Sequence, residues 1–428
     1  MEKFDVAKLE EAIFRKHMEA ARRELEEELQ AEAGRTPAAG TDGLPLKQVR
    51  TTTMVVLTRM GPVRIRVLIG RRATLRKVGK KYKRCWETPF RELYFHGGHS
   101  AVTPGVEDLV VMVACETGSF EKGAAVCGKF GLELSDDRMR SVTLRAGRAC
   151  KPELLPGKSA RAAGPDDILV VMMDGWMARH RGVGWGVKGA APDAKIDWKE
   201  IKSAVLFRLS GLCTTGRNRR ILVEKHIVAV PPDTDPVDFG AKVKSAAVRM
   251  GLGTARKTYV VQDGGIALWN VFEDRFARCT TGELDYYHAS QHLHALADAL
   301  FPAAEDASRR EAWLRAVLEG LKKEGYSPLD AALDAAEKSL ADSKTAQTAA
   351  ILREIAYFRK HEGHMAYDKA AAEGVPIGSG AMESQCSQFQ NRFKRRGQFW
   401  TGRGSGPFLE AYAWYANGEL SFIHKRPA

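Results

Sequence analysis

The spacing of apolar positions changes along the chain and divides it into segments. In residues 2–33, apolar side chains recur at three- and four-residue steps, which predicts one amphipathic helix. Acidic residues outnumber basic ones there, so we expect a packing or dimerisation helix rather than a surface for nucleic acid. Residues 34–47 are rich in Gly, Pro, Thr and Ala and predict a linker, so the first segment is 1–47.

Apolar and polar residues alternate in the next segment, 48–105. Two β-branched runs, 51–57 and 63–69, flank a Gly-Pro turn and predict a β-hairpin with one basic face. From Arg64 to Arg84 there are ten basic residues and no acid. Such a stretch favours phosphate contact over a merely solvated charged face. The candidate contact residues are Arg64, Arg66, Arg71, Arg72, Lys80 and Lys81.

Helical spacing returns in residues 106–165, where three short helices are predicted. They span 106–116, 120–130 and 135–146. Ser119 and Ser135 are suitable N-caps for the second and third helices. The spacing fits a DNA-binding helix-turn-helix with Arg138 and Arg140 on its last helix, and a generic small helical bundle fits as well.

Residues 166–428 predict a domain in which strands and helices alternate. Strands are predicted at 168–174, 203–209, 224–230, 258–263 and 283–288, and helices at 236–250 and 266–276. Residues 289–370 are almost wholly helical with a break at 325–328, and a last helix begins near Ser379. This is the element order of a ribonuclease-H-like α/β domain with an all-α insertion, in which the first strand lies centrally and the fourth beside it.

Three carboxylates occur where this order would bring them together. Asp174 and Asp263 each close an apolar run before a glycine, and Glu383 opens a helix after Gly-Ser-Gly. Taken singly, an aspartate at such a position is more often a simple turn former than a ligand. Taken together, three clustered carboxylates repel unless cations neutralise them. Oxygen ligands suit Mg²⁺ or Mn²⁺. We therefore expect the three acids to hold two such ions for in-line phosphoryl transfer.

The helix that carries Glu383 has an apolar and a polar face. The apolar positions are Met382, Cys386, Phe389 and Phe393, and the polar positions are Glu383, Ser387, Gln390 and Lys394. One face can pack while the other borders a cleft. The cations expected to contact phosphates in this domain are Arg217, Arg219, Arg220, Arg392, Lys394, Arg395 and Arg396.

The composition of the whole chain favours a polyanionic partner. Its 428 residues include 66 Lys and Arg against 53 Asp and Glu, a net charge of +13. Nucleic acid is the default partner for such a chain, although a merely basic soluble protein would have the same balance. No run of eighteen apolar residues occurs, so we expect no membrane span. Seven scattered cysteines and a charged N-terminus predict reduced thiols in the cytoplasm.

Several other motifs are weaker. His288, His292 and His294 lack a matching ligand set for zinc, and the His361–His364 spacing is wrong for a metalloprotease helix. Residues 214–220 lack the P-loop lysine, so nucleotide hydrolysis is not expected. Trp176, Trp269 and Trp400 are expected in the core or in cleft walls. Trp400 has the alternative of stacking on a flipped base.

Four motifs together resemble a known family. The set Asp174-Gly, Asp263-Gly, Asp285-Tyr-Tyr-His288 and Gly378-Ser-Gly-Ala-Met-Glu383 is similar to the DDE transposases of bacterial insertion sequences, especially the Mutator-like superfamily. The resemblance covers about residues 165–420, and its most specific part runs from residue 375 to 400. It implies a helical domain inserted before the glutamate, for which this chain has room.

The resemblance also implies functions for particular residues and for the whole protein. Asp285 and His288 would support the active site or contact a DNA strand. The protein would bind double-stranded DNA at element ends as a homo-oligomer, nick it, and join the 3′-hydroxyl to target DNA, by a cut-and-paste or copy-type route at the bacterial nucleoid. Relatives often carry a cysteine-paired zinc module before the catalytic domain. Only Cys85 stands there, so that module is missing or replaced.

Two rival functions stay open at the level of sequence. A structure-selective nuclease on the same fold would cut DNA without joining the ends. A domesticated DNA-binding protein would use the helix-turn-helix alone and would not need the three acids.

Overall fold

The computed structural model describes residues 5–78, 81–95, 101–150, 161–216, 219–340 and 345–420. It is a mixed α/β protein whose chain divides into two compact units, the first within Met1–Ala149 and the second formed by Cys150–Leu420. The sequence predicted the start of the α/β domain at residue 166, whereas the second unit already begins at Cys150. Within the described residues, no helix is both long and apolar enough to cross a membrane.

Among its described residues, the first unit contains a long helix, a small sheet and four further helices. Its elements are α1 (Val6–Arg35), β1 (Lys47–Thr58), β2 (Gly61–Arg71), β3 (Arg76–Val78), β4 (Lys81–Lys83), β5 (Trp86–Glu87), α2 (Pro89–Tyr94), β6 (Ala101–Val102), α3 (Pro104–Glu116), α4 (Phe120–Lys129) and α5 (Asp136–Ala149). The strand order is β5-β2-β1-β6, with a separate β3-β4 hairpin. The predicted β1-β2 hairpin and the three predicted helices are confirmed.

Alternation along β2 places its arginines outside. Val63, Ile65 and Val67 are buried, whereas Arg64 and Arg66 are exposed. The C-terminal half of α1 covers the edge of this strand. The Gln30 side chain accepts a hydrogen bond from the Arg66 amide at 2.8 Å and donates one to the Arg66 carbonyl at 3.0 Å. A side-chain amide here replaces the missing neighbouring strand and protects the edge from pairing elsewhere.

The second unit contains a larger sheet and ten helices among its described residues. Its strands are β7 (Ile168–Arg181), β8 (Ile196–Arg208), β9 (Leu212–Thr215), β10 (Arg219–Leu222), β11 (His226–Ala229), β12 (Lys257–Gln262) and β13 (Thr281–Leu284). Its helices are α6 (Pro192–Lys195), α7 (Pro236–Arg249), α8 (Ile266–Arg275), α9 (Tyr286–Leu300), α10 (Ala307–Glu324), α11 (Tyr326–Lys338), α12 (Ala346–Lys360), α13 (Tyr367–Ala372), α14 (Gly380–Phe393) and α15 (Gly402–Ala416).

The five-stranded sheet has the order β11-β8-β7-β12-β13, with β12 parallel to β7 and β13 and with β8 antiparallel to β7. The first strand of this unit is therefore central and β12 lies beside it, as the sequence predicted. Leu169, Val171 and Met173 face one buried cluster that includes side chains of α7, α8 and the inserted helices. On the other face, Trp176 stacks on Phe389 of α14. Helices therefore cover the sheet on both sides.

The boundaries of three strands were predicted wrongly, and one predicted loop is partly a hairpin. β7 continues past Asp174 to Arg181, because β8 pairs with it along this whole extension and therefore begins at Ile196 rather than at residue 203. β13 ends at Leu284, since the next residue already caps α9. Part of the predicted loop 214–220 is the β9-β10 hairpin.

Candidate active site

Three aspartates form one row across the central strands. The last residue of β12, Gln262, is level with the residues that precede Asp174 on β7 and Asp285 after β13. Asp263 follows Gln262, so the three aspartates come next in the same register. Adjacent strands lie about 4.8 Å apart, which places Asp263 between the other two.

The electrostatics of Asp174 show that the predicted acids interact. Burial is the largest cause that raises the pKa of Asp174 to about 6, and the charges of Asp263 and Glu383 also raise it. The Gly175 amide donates to Asp174 Oδ1 at 2.6 Å and opposes the shift. The structure therefore brings together Asp174, Asp263 and Glu383, which stand on two neighbouring strands and a distant helix.

The apolar face of α14 sets the position of Glu383. Phe389 stacks on Trp176 with ring centroids 5.4 Å apart, and Phe393 meets the same indole edge-on at 5.5 Å. Met382 is buried and Glu383 is exposed. The predicted division of the helix into a packing face and a polar face is confirmed, and it holds Glu383 at the rim of the sheet near Asp174.

A thiol lies beside the Asp174 carboxylate. Cys386, one turn after Glu383, donates from Sγ to Asp174 Oδ2 at 3.5 Å. Burial raises the pKa of the Cys386 thiol well above its ordinary value, and the charge of Asp174 adds to this effect. The thiol therefore keeps its proton and remains a donor.

Asp285 is a structural carboxylate in this site. Its Oδ1 accepts from the amides of Tyr287 and His288 at 2.7 and 3.0 Å, which caps α9, and its Oδ2 accepts from the Ser379 amide at 2.6 Å. Asp285 is 2% exposed and so has little room for a further ligand. It joins the start of α9 to the residue that caps α14, and thereby helps to position Glu383.

The imidazole ring of His288 packs against another histidine ring. It is half-buried, and its ring lies 5.2 Å from that of His292. His292 in turn stacks on Tyr357 at 3.7 Å and is bonded through Nδ1 to Glu354 Oε2 at 2.7 Å. The histidine of the predicted Asp-x-x-His element thus connects to the inserted helix α12.

The inserted helix α12 also reaches the row of aspartates. A Cβ at Gly264 would stand 2.3 Å from the Tyr357 hydroxyl, so only glycine fits after Asp263. The Tyr357 hydroxyl is buried and has no hydrogen-bond partner among the described residues. Burial raises the pKa of Tyr357 above its ordinary value, and nearby Asp263 contributes. The insertion therefore supplies a phenol next to Asp263.

The donor chemistry of this site fits a hard divalent cation. Asp174 and Asp263 offer carboxylate oxygens side by side, and their mutual repulsion is the condition that a cation relieves. Within the described residues, however, no three His, Cys, Asp or Glu side chains are arranged to hold one ion at once. Glu383 stands near the pair but at the exposed rim.

Two predicted DNA contacts of this unit were wrong because the side chains are buried. Arg392 is 3% exposed, with its guanidinium 4.3 Å from the Phe408 ring. Trp400 is 7% exposed, donates from Nε1 to the Phe393 carbonyl at 2.9 Å, and stacks on Phe408. Both belong to the packing beneath α14. Trp176 and Trp269 are buried, as expected.

The other predicted cations of this unit stand in different situations. Arg220, Arg395 and Arg396 are exposed and Lys394 is half-buried. Arg217 and the side chain of Arg219 lie outside the described part of the chain.

In the first unit, most predicted phosphate contacts are exposed. These are Arg64, Arg66, Arg71, Lys81 and Arg140, with Arg138 half-buried and Lys80 outside the described residues. Arg72 differs, because its guanidinium bonds Asp42 at 3.2 Å and Glu87 at 3.3 Å, so its charge is already balanced. The N-terminus of α5 carries Asp136 and Asp137, which oppose a phosphate backbone at that end.

Sequence analysis missed Cys386 and Tyr357 as members of the site. The sequence assigned Cys386 only to the packing face of its helix. A signal for the site did exist, because Cys386 follows Glu383 by three residues and the two are therefore neighbours on the helix surface. Tyr357 carries no local signal, because its proximity to Asp263 depends on how α12 folds back.

Comparison with known proteins identifies no family. No family model matches the chain and no curated protein matches it. Among solved structures, the Drosophila P element transposase strand transfer complex is similar with a TM-score of 0.26 and 11% identity, over 73% of this chain and 79% of that chain. NurA is similar with a TM-score of 0.09 and 14% identity, over 61% of this chain and 56% of that one. Since both TM-scores lie below 0.5, neither likeness establishes a shared fold.

Proposed function

We propose that this protein is a DDE-type DNA transposase, which cleaves DNA at insertion-sequence ends and joins the 3′-hydroxyl to target DNA. The observation that carries the proposal is the placement of Asp174 and Asp263 side by side on parallel strands, with Glu383 near enough to perturb Asp174. Clustered, partly buried carboxylates are the equipment of metal-dependent phosphoryl transfer.

The sheet order supports a ribonuclease-H-like catalytic domain. Three consecutive antiparallel strands, β7, β8 and β11, are followed by β12 and β13 on the other side of β7. The helices α9 to α13 stand between β13 and α14, which is where the family resemblance places an inserted domain.

In this proposal Asp174, Asp263 and Glu383 would hold two Mg²⁺ or Mn²⁺ ions, and Asp285 positions the start of α14. The ions would activate the attacking water or 3′-hydroxyl and stabilise the leaving oxygen. Cys386 holds the Asp174 carboxylate by a hydrogen bond. The exposed cations Arg220, Arg395 and Arg396 would bind phosphates of double-stranded DNA.

The test uses DNA that carries the flanks of the gene. Wild-type protein and Asp174→Asn are incubated with it, with and without Mg²⁺ or Mn²⁺, and the products are sequenced. We expect metal-dependent nicks at defined ends that are joined to new DNA, with a rate at least about a thousandfold lower in the variant, because one metal ligand is lost.

Other products would support a rival. Cleavage without joining would indicate a structure-selective nuclease. Equal binding by both proteins with no cleavage, in a buffer where an active transposase cuts, would indicate a DNA-binding protein without catalysis.

A further inference from the structure

A cavity of about 820 Å³ lies beside α14 in the second unit. Met172, Phe207 and Ile377 give it an apolar wall, and Ser384 and Gln388 of α14 add hydrogen-bonding groups. Its volume is within the range of pockets that bind small organic ligands.

The cavity adjoins the proposed catalytic carboxylates. Met172 lies two residues before Asp174 on β7, so both side chains point to the same face of the sheet. Ser384 directly follows Glu383 on α14. The cavity therefore lies on the same face of the sheet as Asp174 and beside the turn of α14 that carries Glu383.

Three cations line the cavity, and none of its described lining residues is acidic. They are Arg220, Lys225 and Lys322. No ion pair to Lys225 or Lys322 occurs among the described residues, and Arg220 donates only to the Gly374 carbonyl, at 3.4 Å. Lys225 is half-buried, and burial lowers its pKa. Uncompensated positive charge next to an apolar wall favours an anionic ligand with an apolar part.

An aromatic ring stands at the same cavity. Tyr287 is 63% exposed and belongs to the Asp285-Tyr-Tyr-His288 element. A Cβ at Gly378 would lie 2.6 Å from Tyr287 Cδ2, so the ring packs against the bare backbone of this glycine. This contact explains why the first residue of the Gly-Ser-Gly turn is a glycine. The outer part of the Tyr287 ring remains available for stacking.

From this arrangement we infer that the cavity holds one nucleotide of a DNA strand, turned out of the base stack next to the phosphodiester that is cut. Arg220, Lys225 and Lys322 bind its phosphates and Tyr287 stacks on its base. The inference rests on the proposed function and deepens it by naming a subsite for the substrate. Stacking on an aromatic ring offsets the cost of unstacking the base from its neighbours.

The test uses a short single-stranded oligonucleotide that contains one 2-aminopurine and a separate anisotropy label, without divalent ions. We expect binding to quench the 2-aminopurine in wild type and in Tyr287→Phe, because both keep the ring. Tyr287→Ala should abolish the quenching and weaken binding about fivefold or more. Lys322→Gln should weaken binding by about threefold, whereas Lys323→Gln, its exposed neighbour outside the cavity, should not.

The inference is overturned if quenching persists in Tyr287→Ala, or if Lys322→Gln and Lys323→Gln weaken binding equally, provided circular dichroism shows each variant folded. Since no cleavage is scored, the result is independent of catalysis. Ring-dependent quenching by a protein that never cuts DNA would keep the nucleotide subsite and reject the transposase. Cleavage of DNA without ring-dependent quenching would keep the transposase and reject the nucleotide subsite.

Discussion

At the scale of single residues, the hydrogen bond from Cys386 to Asp174 predicts how substitutions of the cysteine change the cleavage rate. Serine keeps a hydrogen-bond donor at this position, whereas alanine removes it. We expect Cys386→Ser to retain most of the metal-dependent cleavage rate and Cys386→Ala to lose about threefold to tenfold, the effect of about one weak hydrogen bond. Initial cleavage rates against Mg²⁺ concentration would measure this.

A folding defect has to be separated from a positioning effect in that comparison. Thermal unfolding of both variants supplies the control. Equal rates for Cys386→Ala and wild type would show that the thiol does not hold Asp174.

Glu283 on β13 predicts a pH dependence of stability. It is 1% exposed, and burial, the largest cause, raises its pKa to about 8. Between about pH 4.5 and pH 8 the unfolded chain releases a proton that the folded protein retains. The free energy of unfolding should therefore fall as pH rises through this window, by an amount on the order of a few kcal/mol.

Urea unfolding at several pH values would measure this fall. Glu283→Gln should remove much of it, because the amide does not titrate, whereas the exposed Glu362→Gln should leave it unchanged. Parallel curves for Glu283→Gln and wild type would contradict the prediction.

At the scale of elements, Asp285 links two helices through one carboxylate. In Asp285→Asn the amide oxygen can still cap α9, but the amide nitrogen would face the Ser379 amide, donor against donor. We expect a loss of about 1–3 kcal/mol in the free energy of unfolding and slower cleavage, since the start of α14 loses its tie. Denaturant titration and cleavage rates would measure the two effects.

His288→Ala is the matched control for that experiment, because it alters the same motif without touching the tie to α14. It should cost less stability than Asp285→Asn. The reverse order would show that the histidine, rather than the aspartate, holds this part of the site.

Elements whose signals are local were predicted well. The β1-β2 hairpin, the helices α3 to α5 and the helical insertion follow from spacing, N-caps and turn residues, which act over a few residues. The end of β7 was misplaced because Asp-Gly is a turn signal that pairing with β8 overrides. The end of β13 was misplaced because Asp285 stands among apolar and aromatic residues that are typical of a strand, whereas it caps the helix α9.

At the scale of the whole molecule, α1 leaves an apolar stripe without a partner among the described residues. Val6, Ile13 and Phe14 are 65%, 50% and 49% exposed. We propose that this half of α1 pairs with a second copy of the chain. Wild-type protein should sediment as a dimer or larger assembly, and Ile13→Glu should shift it towards the monomer.

Ala12→Glu supplies the control, since it adds the same charge about 100° around the helix from Ile13, outside the apolar stripe, and should leave the assembly intact. Analytical ultracentrifugation of the three proteins distinguishes the outcomes. A wild-type protein that is monomeric at all concentrations would contradict self-association through α1.

The sequence by itself determined the types of element and singled out three candidate acids with the oxygen chemistry they offer, because periodicity, capping and ligand preference are local properties. Only the tertiary structure decided which groups meet. Register aligned Asp174, Asp263 and Asp285, packing on Trp176 seated α14, and the return of α12 brought Tyr357 to Gly264. The same packing buried Arg392 and Trp400 in spite of their polar groups. The element order indicated that Asp174 and Asp263 would lie on neighbouring strands. The individual side-chain contacts depend on how the elements pack together in three dimensions, and local patterns along the chain do not specify that packing.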